Sequence, residues 1–244
     1  MVNQKPLLQL DNLEKKYGDR IILSKLSLSV QEGEIVGLLG PNGAGKTTAF
    51  YIAMGLIAPD KGKILFKEMD ITKKPIHKRA KMGIGYLAQE PSVFRNLTVE
   101  ENILCILEIL PMSKQNKFAR LEELLHELQL EKFAKQKAFS LSGGERRRLE
   151  ITRALVTNPS LLLLDEPFAN IDPISIYDVQ QMIRLLAKKK ISILITDHNA
   201  REIFSIVDRS YLIDHGKVFL SGTVDQLIDN QEAKLTYFGS AFKM

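Results

Sequence analysis

The stretch Gly40-Pro-Asn-Gly-Ala-Gly-Lys-Thr47 constrains this chain more than any other. It follows the apolar run Ile35-Val-Gly-Leu-Leu39 and precedes Thr48-Ala-Phe-Tyr-Ile-Ala-Met54, so it reads as a strand, a glycine-rich loop and a helix. That is the context the pattern G-x-x-x-x-G-K-[ST] needs if it is to hold phosphate. Gly40, Gly43 and Gly45 open backbone conformations closed to other residues, so the loop through Pro41, Asn42 and Ala44 can turn its N–H groups onto an anion. The helix start at Thr47 and Thr48 adds unpaired N–H groups and the positive end of a dipole. Lys46 is expected to reach the β- and γ-phosphates and the Thr47 hydroxyl to ligate Mg²⁺. The spacing therefore predicts a nucleotide site in an α/β fold.

Composition sets the limits around that site. The chain has 244 residues, enough for one large domain with a substantial core. No run reaches the about 20 apolar residues that span a bilayer; the strongest, Ile103 to Leu110, is interrupted by Glu108 and followed by Pro111. The amino terminus has no apolar signal core, and Cys105, the only cysteine, excludes an internal disulfide, so a reducing, cytoplasmic location is expected. A net charge of +5 suits nucleotide, nucleic acid or an anionic surface alike. The basic runs Arg146–Arg148 and Lys188–Lys190 read as solvated helix faces or ends. Without interleaved aromatics they do not make a nucleic-acid groove.

Along the chain, residues 7–13 and 21–30 alternate in places like half-buried antiparallel strands, with Tyr17 between them. A turn at Ala58–Lys63 leads to a short strand at Ile64–Phe66, and Gly83–Gln89 reads as a buried strand ending in an amide. The pattern then turns helical from Val93 to about Asn158, with a capping box at Thr98 and Glu101. The unbroken Leu161-Leu-Leu-Leu-Asp-Glu166 predicts a parallel strand covered on both faces. A helix over 175–189, a β-branched strand over 191–198, a hairpin from Tyr211 and a capped helix from Thr223 complete the chain.

Asp165 and Glu166 end that leucine strand, and in an α/β sheet ligands bind at the carboxyl ends of parallel strands. Asp165 is expected to hold Mg²⁺ and Glu166 to orient or deprotonate the attacking water. A second anion-binding element is Ser142-Gly143-Gly144 at the start of the helical run from Arg146. One complete nucleotide pocket with a second set of phosphate-binding amides elsewhere suggests a site finished by another subunit.

Leu-Ser-Gly-Gly-Glu145, taken with Gly40–Thr47, Gln89, the leucine strand and His198, resembles the ATP-binding cassette ATPases over essentially the whole chain. The resemblance implies a P-loop NTPase core with an antiparallel β subdomain (about 1–92 and 159–244) and an inserted α-helical subdomain (93–158). It implies ATP and Mg²⁺ as cofactors, and a homodimer with two ATP molecules at its interface. The expected partners are two transmembrane permease subunits that hold it peripherally at the inner membrane, with no nucleic acid. In that scheme Tyr17 stacks on adenine, Gln89 touches Mg²⁺ and senses the membrane partner, and Asp172 contacts the other protomer. His198 hydrogen-bonds the γ-phosphate. The alternative for each of Tyr17 and His198 is a core side chain; for His198 the position after a Thr-Asp strand end argues against it.

A narrower similarity lies in Gly85–Arg95, the arginines after Glu145, Asp165–Ser175, Leu194–Asn199 and the closing Tyr237–Lys243. These resemble the ATPase subunits of lipopolysaccharide exporters, with Ala88 where proline is expected and Asn170 where glycine is expected. Branched-chain amino-acid importer ATPases have similar cores and give the alternative cargo. A soluble ribosome- or DNA-acting member is the reading from another class, but it would carry two cassettes or a long insertion. Phe94, beside Arg95, is either a core residue or the lining of a groove for the membrane partner.

Overall fold

The computed structural model describes residues 5–238, and the last part of the closing similarity, from 239 on, lies outside them. Two antiparallel strands come first, β1 (Leu8–Tyr17) and β2 (Arg20–Val30), joined through Gly18, whose φ of 57° suits a residue without Cβ. Their alternation is incomplete because the ladder shifts register between Leu10 and Lys16. Then follow β3 (Ile35–Leu39), α1 (Lys46–Met54), β4 (Lys61–Phe66), the two-residue β5 (Met69–Asp70), α2 (Ile76–Lys81) and β6 (Ile84–Leu87). Helices α3 (Val99–Leu107), α4 (Lys114–Glu127) and α5 (Gly143–Leu155) come next. The remainder is β7 (Leu161–Asp165), α6 (Pro173–Lys188), β8 (Ser192–Thr196), α7 (Ala200–Phe204), β9 (Arg209–Asp214), β10 (Lys217–Gly222) and α8 (Val224–Asp229).

The strands make two sheets. One is antiparallel, in the order β2-β1-β4-β5; the other runs β10-β9-β3-β8-β7-β6, parallel except for the terminal β9–β10 hairpin. The middle of each central strand is apolar on both faces because its alternate residues feed two cores. Leu162 and Leu164 join Ile35, Leu39, Ile193 and Ile195 under the helices α3 to α7, whereas Leu161 and Leu163 join Val36, Leu38 and Leu194 over α1 and the antiparallel sheet. Helix α1 is wedged between the sheets through Ala49, Phe50, Ile52, Ala53 and Met54. Its loop therefore enters the site from a fixed support.

The capping boxes at Thr98 and Thr223 form as their sequences require. Sequence patterning missed β5 and α2, because α2 has almost no apolar periodicity. Its one buried residue is Arg79, whose guanidinium donates to the carbonyls of Ile52 and Ala53 at 2.7 and 2.8 Å and closes the carboxyl end of α1. Burial lowers the Arg79 pKa to about 10, which still leaves it charged at neutral pH.

Candidate active site

The strands β3, β8, β7 and β6 end side by side, and the residues following them meet there. Thr196 at the end of β8 fastens this edge by donating from Oγ1 to Leu38 O at 2.8 Å. The glycine-rich loop leaves β3 at Gly40, where a Cβ would stand 2.2 Å from the carbonyl oxygen of Ile213. At Gly45 the φ is 105° and a Cβ would stand 2.9 Å from the Ile22 oxygen, which again leaves room only for glycine. The turn after β9 locks the loop from behind, Gly216 N donating to Ala44 O at 3.0 Å. Asn42, Gly43 and Thr47 are exposed, so the loop faces outward.

Lys46 is buried, and its ammonium donates back to Gly40 O at 2.7 Å and Pro41 O at 3.0 Å. With three donors, it retains one for a ligand. Burial lowers its pKa, while Glu166, Asp165 and Asp197 act in the opposite direction. Those carboxylates thus lie within electrostatic reach of the loop.

Asp165 is almost fully buried at the end of β7, and its pKa is pushed up to about 6, first by burial and then by the neighbouring Glu166. Tyr86 Oη donates to it at 3.4 Å. A bound divalent cation would favour the ionised form and reverse that shift. Glu166 has φ 47°, a conformation a non-glycine residue keeps only when its surroundings enforce it. They do so here: Glu166 N donates to Thr196 O at 2.8 Å, and Glu166 O accepts from Ala169 N at 3.2 Å and from Arg147 Nη2 at 3.0 Å. On the side chain, Gln89 Nε2 donates to Oε2 at 2.8 Å, and His198 Nδ1 lies 3.8 Å away. His198 also stands 3.2 Å from the buried Asp197 and is well exposed, so it is not a core histidine.

Thr47, Gln89 and Asp165 would offer a cation a hydroxyl, an amide and a single carboxylate. No group of three or more His, Cys, Asp or Glu residues able to hold a metal ion occurs among the described residues. This sparse oxygen set fits Mg²⁺, which keeps waters and takes its other ligands from substrate phosphates.

Tyr17 is 53% exposed at the tip of β1, which rules out the core alternative. Beyond the β1–β2 turn, a cleft of about 380 Å³ runs to Gly43 past Ile22, Arg20, His215 and Lys217, and Arg20 and Lys217 make its walls basic.

Ser142, Gly143 and Gly144 open α5, with Gly143 lining a pocket beside Gln89. Ser142 Oγ accepts from Glu145 N at 3.3 Å and Glu145 Oε2 accepts from Ser142 N at 2.9 Å, so these hydrogen bonds stay within the helix start. A Cβ on Gly144 would stand 2.4 Å from Ser175 Oγ, and Ser175 is itself held by Asp172. Those two hydrogen bonds from Ser175 keep the Asp172 carboxyl below its usual range. Asn170 has φ 60°, which is why glycine is expected there; asparagine tolerates this region better than most side chains.

One expectation is overturned. Arg147 is not on a solvated helix face: only 5% exposed, it pairs with buried Glu150 at 2.8 Å and donates to the carbonyls of Pro167, Ala88 and Glu166. Such a pair is costly to break, about 3 to 5 kcal/mol on losing one partner. The i, i+3 spacing of Arg147 and Glu150 was the available signal, but only the fold shows what the pair grips. Tyr86 and Asp197 were also missed, since each acts through a neighbour that the strand ends bring near. Asp197 accepts from Phe168 N at 3.2 Å and Asn199 N at 3.0 Å, fixing two loops of the site.

A phosphate loop at a helix start, with an acidic pair ending a nearby parallel strand, defines a P-loop ATPase of the α/β class. The chain belongs to the ABC transporter family, whose model matches residues 23–169. It is 49% identical over 238 residues to the "Lipopolysaccharide export system ATP-binding protein LptB" of Acidithiobacillus ferridurans, covering 98% of this chain and 99% of that one. The protein of the same name from Escherichia coli K12 is 44% identical over 234 residues, with coverage of 96% and 97%. Among solved structures, an ATP-binding cassette of an ABC transporter in its ADP conformation matches with a TM-score of 0.87 at 30% identity, covering 96% of this chain and 99% of that one. A dimeric cassette in a post-hydrolysis state bound to ADP and phosphate matches with a TM-score of 0.76 at 28% identity, covering 89% and 98%. The fold is that of an ABC ATPase.

Proposed function

We propose that this chain powers lipopolysaccharide export, as a homodimer bound to two membrane-spanning partners on the cytoplasmic face of the inner membrane. The observation that carries the reading is the 44% to 49% identity, over nearly the whole of both chains, to proteins named for that export system. None of the relatives described above is named as an amino-acid importer. No helix among the described residues is long and apolar enough to cross a membrane, in keeping with attachment through partners.

In this reading residues 93–158 form the helical subdomain and the remainder the ATPase core. Tyr17 stacks on adenine, the loop and helix start at residues 40–48 with Lys46 hold the phosphates, and Thr47, Asp165 and Gln89 would hold Mg²⁺. The cation would offset negative charge on the β- and γ-phosphates. Glu166 takes a proton from the water that attacks the γ-phosphorus as the bond to the bridging oxygen breaks, and His198 donates to a γ-phosphate oxygen. Ser142, Gly143 and Gly144 bind the γ-phosphate held by the other protomer, with Asp172 at the protomer contact. Phe94, 52% exposed, and the exposed Arg95 face the membrane partner.

Cargo is tested in liposomes holding the chain with its membrane partners. Lipopolysaccharide should accelerate ATP hydrolysis and branched-chain amino acids should not; the reverse response would overturn the export reading. Site sharing is tested by mixing Ser142→Arg and Lys46→Ala chains. Each homodimer has two spoiled sites, but a mixed dimer places both lesions in one site and leaves the other whole, so activity should return. Mixed dimers without any recovery would count against shared sites.

A further inference from the structure

One face of α5 grips the chain around the segment from Gln89 to Phe94 at three residues, Ala88, Ser92 and Phe94. Arg147, Glu150 and Arg153 recur every third residue and so share a side of the helix. Arg147 donates to Ala88 O at 3.2 Å, Glu150 Oε1 accepts from Ser92 N at 3.3 Å, and Arg153 donates to Ser92 O. The Arg153 guanidinium also lies over the Phe94 ring, 4.9 Å from its centroid. Its Nε is buried without a partner, so the Ser92 carbonyl and the ring are what fix the group. From the other side, buried Asn102 of α3 accepts from Phe94 N at 2.8 Å and donates to Phe94 O at 3.0 Å. The inner face of Phe94 is therefore occupied by α5, its main chain by α3, and its outer half is open.

We infer that Arg153 is a positioning residue that passes a push on Phe94 to α5, and so to the Ser142 end of that helix. This route to the second phosphate-binding surface bypasses Gln89. A displaced ring moves the guanidinium above it, and the rigid helix moves with its arginine. The inference rests on Phe94 facing the membrane partner.

The test compares the isolated chain with the chain assembled with its membrane partners. Arg153→Met should leave the melting temperature and ATPase rate of the isolated chain and the yield of assembled complex unchanged, while partner-stimulated hydrolysis falls about three- to tenfold. Arg153→Lys should recover most of that stimulation, because an ammonium can still lie over the ring and reach Ser92 O. Phe94→Leu keeps apolar bulk for the partner but removes the ring face; it should assemble and show the same loss, and combining it with Arg153→Met should add nothing. Full stimulation in Arg153→Met, or additive losses in the double variant, would overturn the relay. If Arg153→Met does not fold, Phe94→Leu decides alone, since full stimulation there has the same meaning. Undiminished assembly of Phe94→Ala would instead sink the partner-facing reading of Phe94.

Discussion

Glu166→Gln is expected to slow ATP hydrolysis by about two to four orders of magnitude while leaving the fold and ATP affinity in place. The main chain at this position does not depend on the carboxylate: Thr196 O, Ala169 N and Arg147 hold it at its φ of 47°. The side-chain contact also survives, since the amide oxygen of glutamine can accept from Gln89 Nε2 as Glu166 does at 2.8 Å. What disappears is the ability to take a proton from water. Substrate should consequently persist between the protomers, and size-exclusion chromatography with ATP should show more dimer than wild type. Phosphate release at the wild-type rate would exclude Glu166 as the base.

Lys46→Ala should be equally severe for a different reason, acting on binding as well as chemistry. The ammonium neutralises a region that contains Asp165, Glu166 and Asp197 and contacts the carbonyls of Gly40 and Pro41. Without it a polyphosphate must enter beside three carboxylates with no compensating cation from α1. Hydrolysis should fall by at least about a hundredfold, the scale set by losing one preorganised charge at a reacting centre. A ligand that binds only the folded state raises the melting temperature, so ATP should stabilise the wild type and not the variant. A normal ATP-induced rise in the variant would move the phosphate site elsewhere.

The elements legible in the sequence were those whose signals are local. The glycine-rich loop, the leucine strand, and the caps at Thr98, Ser142 and Thr223 each carry their reason within a few residues. The contacts that organise the site are not local. Arg147 looked like any surface arginine because its partners, Ala88 and Pro167, lie 59 and 20 residues away. Helix α2 was invisible because its buried face is one arginine rather than an apolar stripe. Tyr17 by type is also readable as a core residue, and His198 is set apart only by its place after a Thr-Asp strand end; both are exposed.

Four consecutive leucines in β7 carry no register information. In a strand with one wet face, a slip by one residue turns every apolar side chain into water and is rejected. Here both faces are dry, and a slipped leucine would meet another core as apolar as its own. Alignment must come from the ends of the run. At one end Ser160 and Leu161 both donate to Gly83 O, at 2.9 and 3.1 Å; at the other Asp165 is paired with Thr196 in the ladder to β8. The carboxylate is thus also the strand's reading mark, and selection for the chemistry and for correct pairing falls on the same residue.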